Sequence, residues 1–481
     1  MVNINLKEQF YAYDAFHIVK AFLPNEEIIQ NIKEDQEMLL VIEYNGVQIV
    51  SVTMGEIEGF EEKRDKKNYV NGRMYQQISA YTKKELSWGI LTGIRPTKIL
   101  MKKLEEGYQE EEIKKWFKNR YFVSDKKADL GLEIAKREKS LLEHLDYKDG
   151  YSIYIGIPFC PTTCAYCSFT SYPIRQWEDH VDDYLDALCK ELSFVGSVSK
   201  EKKLNTVYIG GGTPTTLTAA QMDRLLTHME HTFSYEYLKE FTVEAGRPDS
   251  ITKDKLEVLR AHNISRISVN PQTMQQKTLD AIGRRHTVED VVNVFHMARE
   301  LGFDNINMDL IAGLTGEDLN DMKDTLEKIS ELRPDSLTVH SLAIKRASRL
   351  AKTDAKKEQA NQASQLEQMI DLAAEYAGKM GLVPYYLYRQ KNIAGNFENV
   401  GYAKLDKAGI YNILIMEEKQ SIIAVGAGAS TKIVLPKGKE LQDKKSGDLK
   451  NIVRVENVKD VKEYITRIDE MIERKGEWLW R

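Results

Sequence analysis

The chain has 481 residues, of which 42% are hydrophobic and 29% are charged, and its formal net charge is −5. This length predicts two or three domains, and the near balance of acids and bases excludes a generally basic nucleic-acid binder. The sequence has no apolar run long enough to span a bilayer, no signal-peptide core near residue 1 and only four cysteines, which predicts a cytoplasmic protein without a membrane span. No nucleic-acid partner is expected.

The first 148 residues are predicted to form a separate α+β domain. Strand-like runs at Met38–Tyr44 and Val47–Thr53 flank Asn45-Gly46, which is a strong signal for a tight hairpin turn. A helix is expected over residues 70–86, and Ser124 is a candidate N-cap for another that reaches about residue 145. The pattern assigns no chemistry to this domain.

One segment of this domain, Trp88-Gly-Ile-Leu-Thr-Gly-Ile-Arg-Pro-Thr97, is rich in turn-forming residues. Arg95 and Lys98 add two positive charges to it. Arg95 has two interpretations that the sequence leaves open, a structural ion pair or a contact with an acidic ligand or partner.

The most specific motif is Cys160-Pro-Thr-Thr-Cys164-Ala-Tyr-Cys167, which follows a strand-like run. Three thiolates can ligate three irons of a [4Fe–4S] cluster and leave the fourth iron open to a ligand. A zinc site with His180 as fourth ligand, a disulfide and simple core cysteines remain alternatives at this point. The fourth cysteine, Cys189, is distant in sequence.

From residue 151 onward, short apolar runs alternate with helical stretches, which predicts a parallel sheet with right-handed crossovers. The predicted strands cover residues 151–158, 206–210, 241–245, 264–270, 305–312 and 336–342. The predicted helices cover residues 177–192, 219–231, 253–261, 288–301 and 318–331. Six such units are two short of a closed eight-fold barrel, so we expect an open, partial barrel over residues 149–345.

Polar or glycine-rich residues lie at the predicted end of every one of these strands, where parallel β/α folds place their ligand sites. In chain order they are the three cysteines, Gly210-Gly-Gly-Thr-Pro-Thr215, Glu244, Asn270-Pro-Gln272, Asp309 and the His340 to Ala343 segment. The pattern therefore predicts one site built from several strand ends.

Residues 346–481 are predicted to form an α+β extension that covers this site. A helix over residues 358–380, a tyrosine-rich strand over 384–389 and a closing amphipathic helix over 458–480 are expected. Residues 392–401 and 424–430 are predicted to be glycine-containing loops, and lysine-rich residues 432–450 an exposed loop or hairpin.

These motifs resemble the radical S-adenosylmethionine (SAM) superfamily, and within it the oxygen-independent coproporphyrinogen III oxidases and their HemZ-like branch. The resemblance rests on Tyr154-Ile-Gly-Ile-Pro-Phe-Cys160, Gly211-Gly-Thr-Pro, Arg284-Arg-His-Thr287 and Asn307-Met-Asp-Leu-Ile-Ala-Gly-Leu314, and on the N-terminal Leu91-Thr-Gly-Ile-Arg-Pro-Thr97. It implies a partial (β/α)6 radical SAM barrel with an N-terminal α+β domain and a C-terminal α+β extension.

The resemblance also implies the cofactors and their ligands. Cys160, Cys164 and Cys167 would hold a [4Fe–4S] cluster, whose open iron would be chelated by SAM. Residues at the strand ends would bind SAM: Tyr154, Gly211, Gly212, Thr213, Glu244, Gln272, Arg284, Asp309 and Ala343. A carboxylate suits an ammonium group or ribose hydroxyls, and a guanidinium suits a carboxylate.

The implied reaction converts two propionates of coproporphyrinogen III to vinyl groups and gives protoporphyrinogen IX. A SAM-derived 5′-deoxyadenosyl radical would remove hydrogen, and carbon dioxide would leave. An electron donor such as flavodoxin or ferredoxin is expected. A substrate with four carboxylates needs cationic partners, for which the candidates are Arg284, Arg285, Lys345 and Arg346.

The chain departs from the best-known oxidases at several positions. Phe169 stands where those oxidases carry a fourth cysteine, and Gly156 stands where a histidine is usual. Phe169 is shared with a sister group of haem-binding chaperones, so a haem chaperone with a radical SAM fold is the alternative function. However, Asn396-Phe-Glu-Asn and Ser430 lack residues that this sister group carries, which favours the dehydrogenase; a methyltransferase is a third, weaker hypothesis.

Overall fold

The computed structural model describes residues 1–93, 95–169, 171–345, 348–352, 363–389, 397–442 and 449–480. Of the predicted features, Arg346, Asn396 and the first residues of the 358–380 helix lie outside these ranges. Within them, no helix is both long and apolar enough to cross a membrane.

A four-stranded sheet with helices packed against it forms the N-terminal region. Its strands are β1 (Val2–Leu6), β2 (Ile28–Ile32), β3 (Met38–Tyr44) and β4 (Val47–Thr53). Its helices are α1 (Ala12–Phe22), α2 (Lys63–Thr82), α3 (Thr97–Glu105), α4 (Glu110–Tyr121) and α5 (Asp125–Leu142). The sheet order is β2-β1-β3-β4. The predicted hairpin is confirmed, with positive φ at Asn45 and Gly46, and the Ser124 side chain caps α5 as expected.

The predicted run of parallel strands is confirmed to within a few residues at each end. The strands are β5 (Gly150–Ile157), β8 (Lys203–Gly211), β9 (Glu240–Gly246), β10 (Arg266–Val269), β11 (Ile306–Ala312) and β12 (Ser336–Ser341), with a short pair β6 (Phe159–Cys160) and β7 (Tyr172–Pro173) after the first. The helices between them are α6 (Val181–Val198), α7 (Ala219–Thr232), α8 (Lys253–Ala261), α9 (Gln276–Ala281), α10 (Val288–Glu300) and α11 (Leu319–Leu332). Adjacent strands from β5 to β12 pair in parallel, and their side chains are almost wholly buried, as expected for a sheet covered by helices on its outer face.

The C-terminal region extends the same sheet at both edges. Its strands are β13 (Val383–Arg389), β14 (Glu398–Ala403), β15 (Ser421–Val425), β16 (Ser430–Val434), β17 (Leu441–Gln442), β18 (Leu449–Lys450) and β19 (Ile452–Glu456), and its helices are α12 (Ala363–Lys379), α13 (Ile410–Glu417), α14 (Val461–Thr466) and α15 (Ile468–Gly476). The resulting order is β13-β14-β12-β11-β10-β9-β8-β5-β15-β16-β19.

Three C-terminal predictions are wrong in detail. Of the predicted loop at 392–401, residues 392–396 lie outside the described ranges and residues 398–401 belong to β14. The predicted loop at 424–430 is instead the end of β15, a tight turn and the start of β16, and β15 pairs in parallel with β5 as a seventh parallel strand. The predicted closing helix is divided into α14 and α15. The tyrosine-rich strand is confirmed as β13. In the lysine-rich segment, residues 432–434 belong to β16, and β17 and β18 pair antiparallel with exposed side chains.

Buried ion pairs connect the three regions. Lys127 on α5 lies 2.5 Å from Glu398 on β14, and Trp88 Nε1 donates to the same carboxylate at 2.7 Å. Lys475 on α15 pairs with Glu191 on α6 at 2.8 Å, and both side chains are fully buried. Arg95 pairs with Glu418 at 2.5 Å, so the ion pair that was one of its two interpretations is present. The N-terminal region is therefore fixed to the strands beside the candidate site.

Candidate functional site

One cavity of about 500 Å³ lies at the C-terminal ends of the parallel strands and brings all the predicted site residues together. The residues that line it include Tyr154, Cys160, Cys164, Cys167, Gly211, Gly212, Thr213, Glu244, Gln272, Arg284, Asp309 and Ala343. They come from six different strands or the loops that follow them. The polar and glycine-rich residues at the predicted strand ends therefore do lie together around one cavity, as the sequence pattern predicted.

The three motif cysteines lie on one wall of this cavity. Cys160 belongs to β6, is buried and accepts a hydrogen bond from Thr213 Oγ1 at 3.5 Å, and burial raises its pKa. All four cysteines are free thiols, so no disulfide forms among them. Within the described ranges, no three or more His, Cys, Asp or Glu side chains are grouped to hold a single metal ion. His180, the candidate fourth zinc ligand, instead lies 3.3 Å from Asp183 on the surface.

Arg247 orders the cysteine loop, although the sequence reasoning did not select it. Its Nη1 donates to the carbonyl and hydroxyl oxygens of Thr162 at 3.0 and 2.8 Å and lies 3.8 Å from Cys164 Sγ. Asp249 holds the guanidinium in place through a bond at 2.6 Å. Arg247 directly follows β9, so the same strand-end rule that identified Glu244 could have found it.

The glycine loop presses against the backbone of the cysteine-bearing segment. Gly211 has φ +112, and a Cβ at Gly212 would lie 2.4 Å from the Phe159 carbonyl oxygen. The amides of Gly212 and Thr213 donate to the carbonyls of Ile157 and Phe159, each at 2.7 Å. Glycine is required here because no side chain fits between the loop and that backbone.

Two carboxylates in the cavity experience different environments. Tyr208 donates a short hydrogen bond to Glu244, but burial dominates and raises the pKa of Glu244 to about 7. Asp309 accepts from Asn307 Nδ2 at 2.7 Å and lies 3.8 Å from His340 Nε2. Although burial opposes it, these two partners lower the pKa of Asp309. The cavity therefore pairs a carboxyl group that titrates near neutrality with one that stays ionised.

Replacing Glu244 with glutamine should make the protein more stable above neutral pH. The folded-state pKa of about 7 lies above the ordinary value of 4.5, so the folded state binds this proton more tightly than the unfolded state. The contribution of this proton to the free energy of unfolding is fully present below about pH 4.5 and is lost as the pH rises through about 7. Unfolding of Glu244→Gln and wild type in urea should differ little at about pH 4.5 and by at most about 3 kcal/mol at about pH 8.

The control for this prediction is Glu257→Gln on α8, where the carboxylate is half exposed and only loosely paired with Lys253. This variant should change the free energy of unfolding by less than about 0.5 kcal/mol at every pH. A Glu244→Gln difference that stays constant from acid to alkaline pH would contradict the assignment.

Polar atoms that face the cavity remain without partners. Arg284 is buried and donates through Nη1 to the Asn270 carbonyl, but its Nε and the side-chain Oδ1 of Asn270 have no hydrogen-bond partner in the described part of the chain. Gln272 has φ 69 and fixes its backbone by exchanging hydrogen bonds with β11. Buried orphan atoms and three free thiols in a cavity that the glycine loop also lines fit a [4Fe–4S] cluster with bound SAM.

The C-terminal region supplies a further part of the cavity lining. The sequence pattern predicted that this region covers the site but did not identify the residues that line it. Tyr411 on α13 stacks on Tyr208 with ring centroids 4.5 Å apart, and Tyr388 on β13 lies 3.1 Å from His340 Nδ1. Helix α13 is short, and its apolar run, Ile410–Glu417, has no helical periodicity that separates it from a strand. The cavity is also lined by Tyr386, Asn412, Ile415 and Met416 of this region.

The candidate substrate cations are divided between two neighbouring cavities. Lys345 lines the main cavity, and its Nζ lies 5.8 Å from the ring centroid of Phe169. Arg285 instead lines an adjacent cavity of about 590 Å³, which it shares with Arg284 and Arg349. Phe169 is 71% exposed at the edge of the main cavity.

Comparisons with known proteins place these features in a family. The sequence profile of the Radical SAM superfamily matches residues 154–329. The chain is 43% identical over 433 residues to the oxygen-independent coproporphyrinogen-III oxidase-like protein HemZ of Bacillus subtilis, which covers 89% of this chain and 83% of that protein. It is 37% identical over 194 residues to the heme chaperone HemW of the same organism, which covers 40% of this chain and 50% of that protein.

A solved structure shows the same fold. The coproporphyrinogen III oxidase HemN from Escherichia coli, described as a radical SAM enzyme, superposes with a TM-score of 0.52 at 22% sequence identity. The superposition covers 69% of this chain and 73% of that one. The predicted fold class is thereby confirmed.

Proposed function

Because the chain belongs to the radical SAM superfamily, and to its HemZ-like branch by 43% identity over most of its length, we propose that it decarboxylates coproporphyrinogen III oxidatively. Members of this superfamily use a [4Fe–4S] cluster and SAM. In the proposed reaction, two propionates lose carbon dioxide and become vinyl groups. Each event removes one hydrogen atom and passes one further electron to an external acceptor, so the product is protoporphyrinogen IX.

The observation that carries this proposal is the convergence of three free thiols, a glycine loop and two carboxylates on one cavity. Cys160, Cys164 and Cys167 would hold the cluster, and Arg247 would keep their loop ordered. Gly211 and Gly212 would let SAM approach the backbone, and Asp309 would offer an ionised carboxylate to its cationic groups. When bound, the reduced cluster supplies the electron that cleaves SAM to methionine and a 5′-deoxyadenosyl radical.

The chain's own residues would bind, orient and shield the substrate. Lys345 and the buried guanidinium of Arg284 would pair with propionate carboxylates. The tyrosines of β13 and α13 would close the cavity opposite the cysteines and limit the entry of water and oxygen. These roles are inferred from the charges of the side chains and from their positions in the cavity lining.

An anaerobic assay tests the proposed function. The reconstituted protein is mixed with dithionite, SAM and coproporphyrinogen III, and the products are separated by chromatography. We expect 5′-deoxyadenosine, carbon dioxide and a porphyrinogen with vinyl groups. Deoxyadenosine without any vinyl product, together with stoichiometric binding of haem, would refute this activity.

The second candidate function is haem binding and delivery, and Phe169 is the observation that favours it. This residue occupies the position of the fourth motif cysteine, and its exposed ring borders the cavity. The similarity to a heme chaperone over 40% of the chain agrees with this alternative. Titration with haem under the same anaerobic conditions distinguishes the two, because a chaperone should retain haem through gel filtration whereas the oxidase should not.

A further inference from the structure

The N-terminal region contains a second cavity, which we call the basic pocket. Its volume is about 660 Å³, against about 500 Å³ for the candidate active site. Its described lining includes six cationic side chains and one acidic side chain, Glu106. The six cations are Arg64, Arg95, Lys98, Lys102, Lys103 and Arg120. On a chain whose formal net charge is −5, such a concentration of positive charge is a local feature.

The basic pocket forms where α1, α2, α3 and α4 meet the turn-rich segment singled out in the sequence. Thr92 and Gly93 precede α3, Lys98 and Ile99 belong to its first turn, and Trp116 faces the pocket from α4. Helix α3 begins at Thr97 without a side-chain cap, and residues of both its first and its last turn line the pocket. Thr92, Gly93 and Arg95 of the turn-rich segment thus border a cavity in which nothing in the proposed reaction takes part.

Nearby carboxylates offset only part of this charge. Arg95 and Lys98 share one carboxylate, Glu418, at 2.5 and 3.2 Å. Lys103 pairs with Glu106 at 2.7 Å, while Lys102 is 3.8 Å from it and 72% exposed.

The two remaining cations come from α2 and α4. Arg120 pairs with Asp65, whereas Arg64 donates to the neutral hydroxyl of Tyr121 at 3.1 Å. Because cations outnumber the carboxylates that touch them, the pocket carries an excess of positive charge that an anion can neutralise.

We propose that the basic pocket binds a small molecule with several phosphate groups. Arginine presents a planar fork of donors that matches phosphate oxygens, and lysine adds point charges. The uncapped start of α3 supplies the kind of helix end at which phosphates bind. Trp116 lines the pocket, and Lys103 Nζ lies 5.3 Å from its ring centroid. A nucleoside polyphosphate and an inorganic polyphosphate chain are the two sources of this phosphate chemistry.

The experiment titrates the full-length protein with tripolyphosphate and with ATP, followed by calorimetry and by Trp fluorescence. Saturating SAM is present so that an adenine-containing ligand cannot report on the other cavity. We expect binding of one ligand per chain that weakens as salt is added. Tighter binding of ATP than of tripolyphosphate identifies a nucleotide as the ligand, and equal binding identifies the phosphate chain alone.

The test variant is Arg64→Glu/Lys102→Glu, which reverses the two charges that contact no carboxylate at close range. We expect an affinity at least about tenfold lower, because both substitutions place repulsion at the phosphates. The matched control is Lys63→Glu/Lys115→Glu, which changes net charge equally at two exposed residues outside the pocket and should stay within about twofold of wild type. If the double variant fails to fold by circular dichroism, Lys102→Glu alone is measured, with a loss of about threefold expected.

Three results would overturn the proposal. The first is the absence of saturable binding of either compound. The second is an equal loss of affinity in the test and control variants, which would indicate nonspecific attraction. The third is binding of RNA oligonucleotides but of neither small molecule, which would assign the charge to a macromolecular surface.

Discussion

Replacing Cys164 with alanine should abolish the iron–sulfur absorbance of the reconstituted protein. Cys164 is one of three thiols on the wall of the main cavity, and two remaining thiolates hold a cluster poorly. Iron content should fall from about four per chain to near background, and cleavage of SAM should fall with it. Visible absorbance and iron analysis measure the first effect without any substrate.

The matched control is Cys189→Ala, which removes the fourth cysteine of the chain. Cys189 lies on α6, packs against the hydrophobic core and is absent from the cavity lining among the described residues. This variant should bind iron like wild type. The ligand assignment is wrong if Cys164→Ala retains a full complement of iron, or if Cys189→Ala loses as much.

Replacing Lys127 with methionine should destabilise the protein by up to about 3–5 kcal/mol, because it removes the ammonium group paired with the buried Glu398 carboxylate and leaves Arg389 as the buried cation that still acts on it. Both side chains are at most 2% exposed, and their charged atoms are 2.5 Å apart. Trp88 Nε1 would remain as a neutral donor at 2.7 Å, which is too weak to replace the ammonium group. Urea unfolding followed by circular dichroism gives the free energy.

A neighbouring lysine provides the control for this variant. Lys126 pairs with Asp371 at the same distance of 2.5 Å, but its side chain is 62% exposed. Lys126→Met should therefore cost no more than about 1 kcal/mol. The double variant Lys127→Met/Glu398→Gln should recover part of the loss, since it removes the isolated charge. An equal loss in the free energy of unfolding for Lys127→Met and Lys126→Met would contradict the claim that burial makes the Lys127 pair the more important one.

Much of the site could be predicted from sequence because one rule governs it. In a parallel β/α sheet, strand ends meet at one edge, so Glu244 and Asp309 were expected beside the cysteines although they are far apart in the chain. The rule needs only strand positions, and the apolar runs of β5 to β12 defined these well. The same rule also covers Arg247, three residues after Glu244, although the prediction for this strand end named Glu244 alone.

The parts that could not be predicted depend on tertiary partners. Strand β15 is a five-residue apolar run followed by glycines, and the glycines of the turn at Gly426 and Gly428 dominated the local pattern. Its pairing with β5 on one side and β16 on the other makes it a strand. Similarly, α13 owes its place to the packing of Tyr411 on Tyr208, a contact between residues that no local pattern connects.

The position of β15 beside β5 has a consequence for the order in which the protein is assembled. Strand β5 leads directly into the cysteine motif, and its two neighbours are β8, which follows soon after, and β15, which the ribosome makes much later. Until β15 emerges, β5 is an open edge with unpaired backbone groups. Iron loading of the nascent chain should therefore wait for β15, and a chain truncated before Ser421 should aggregate rather than accept a cluster.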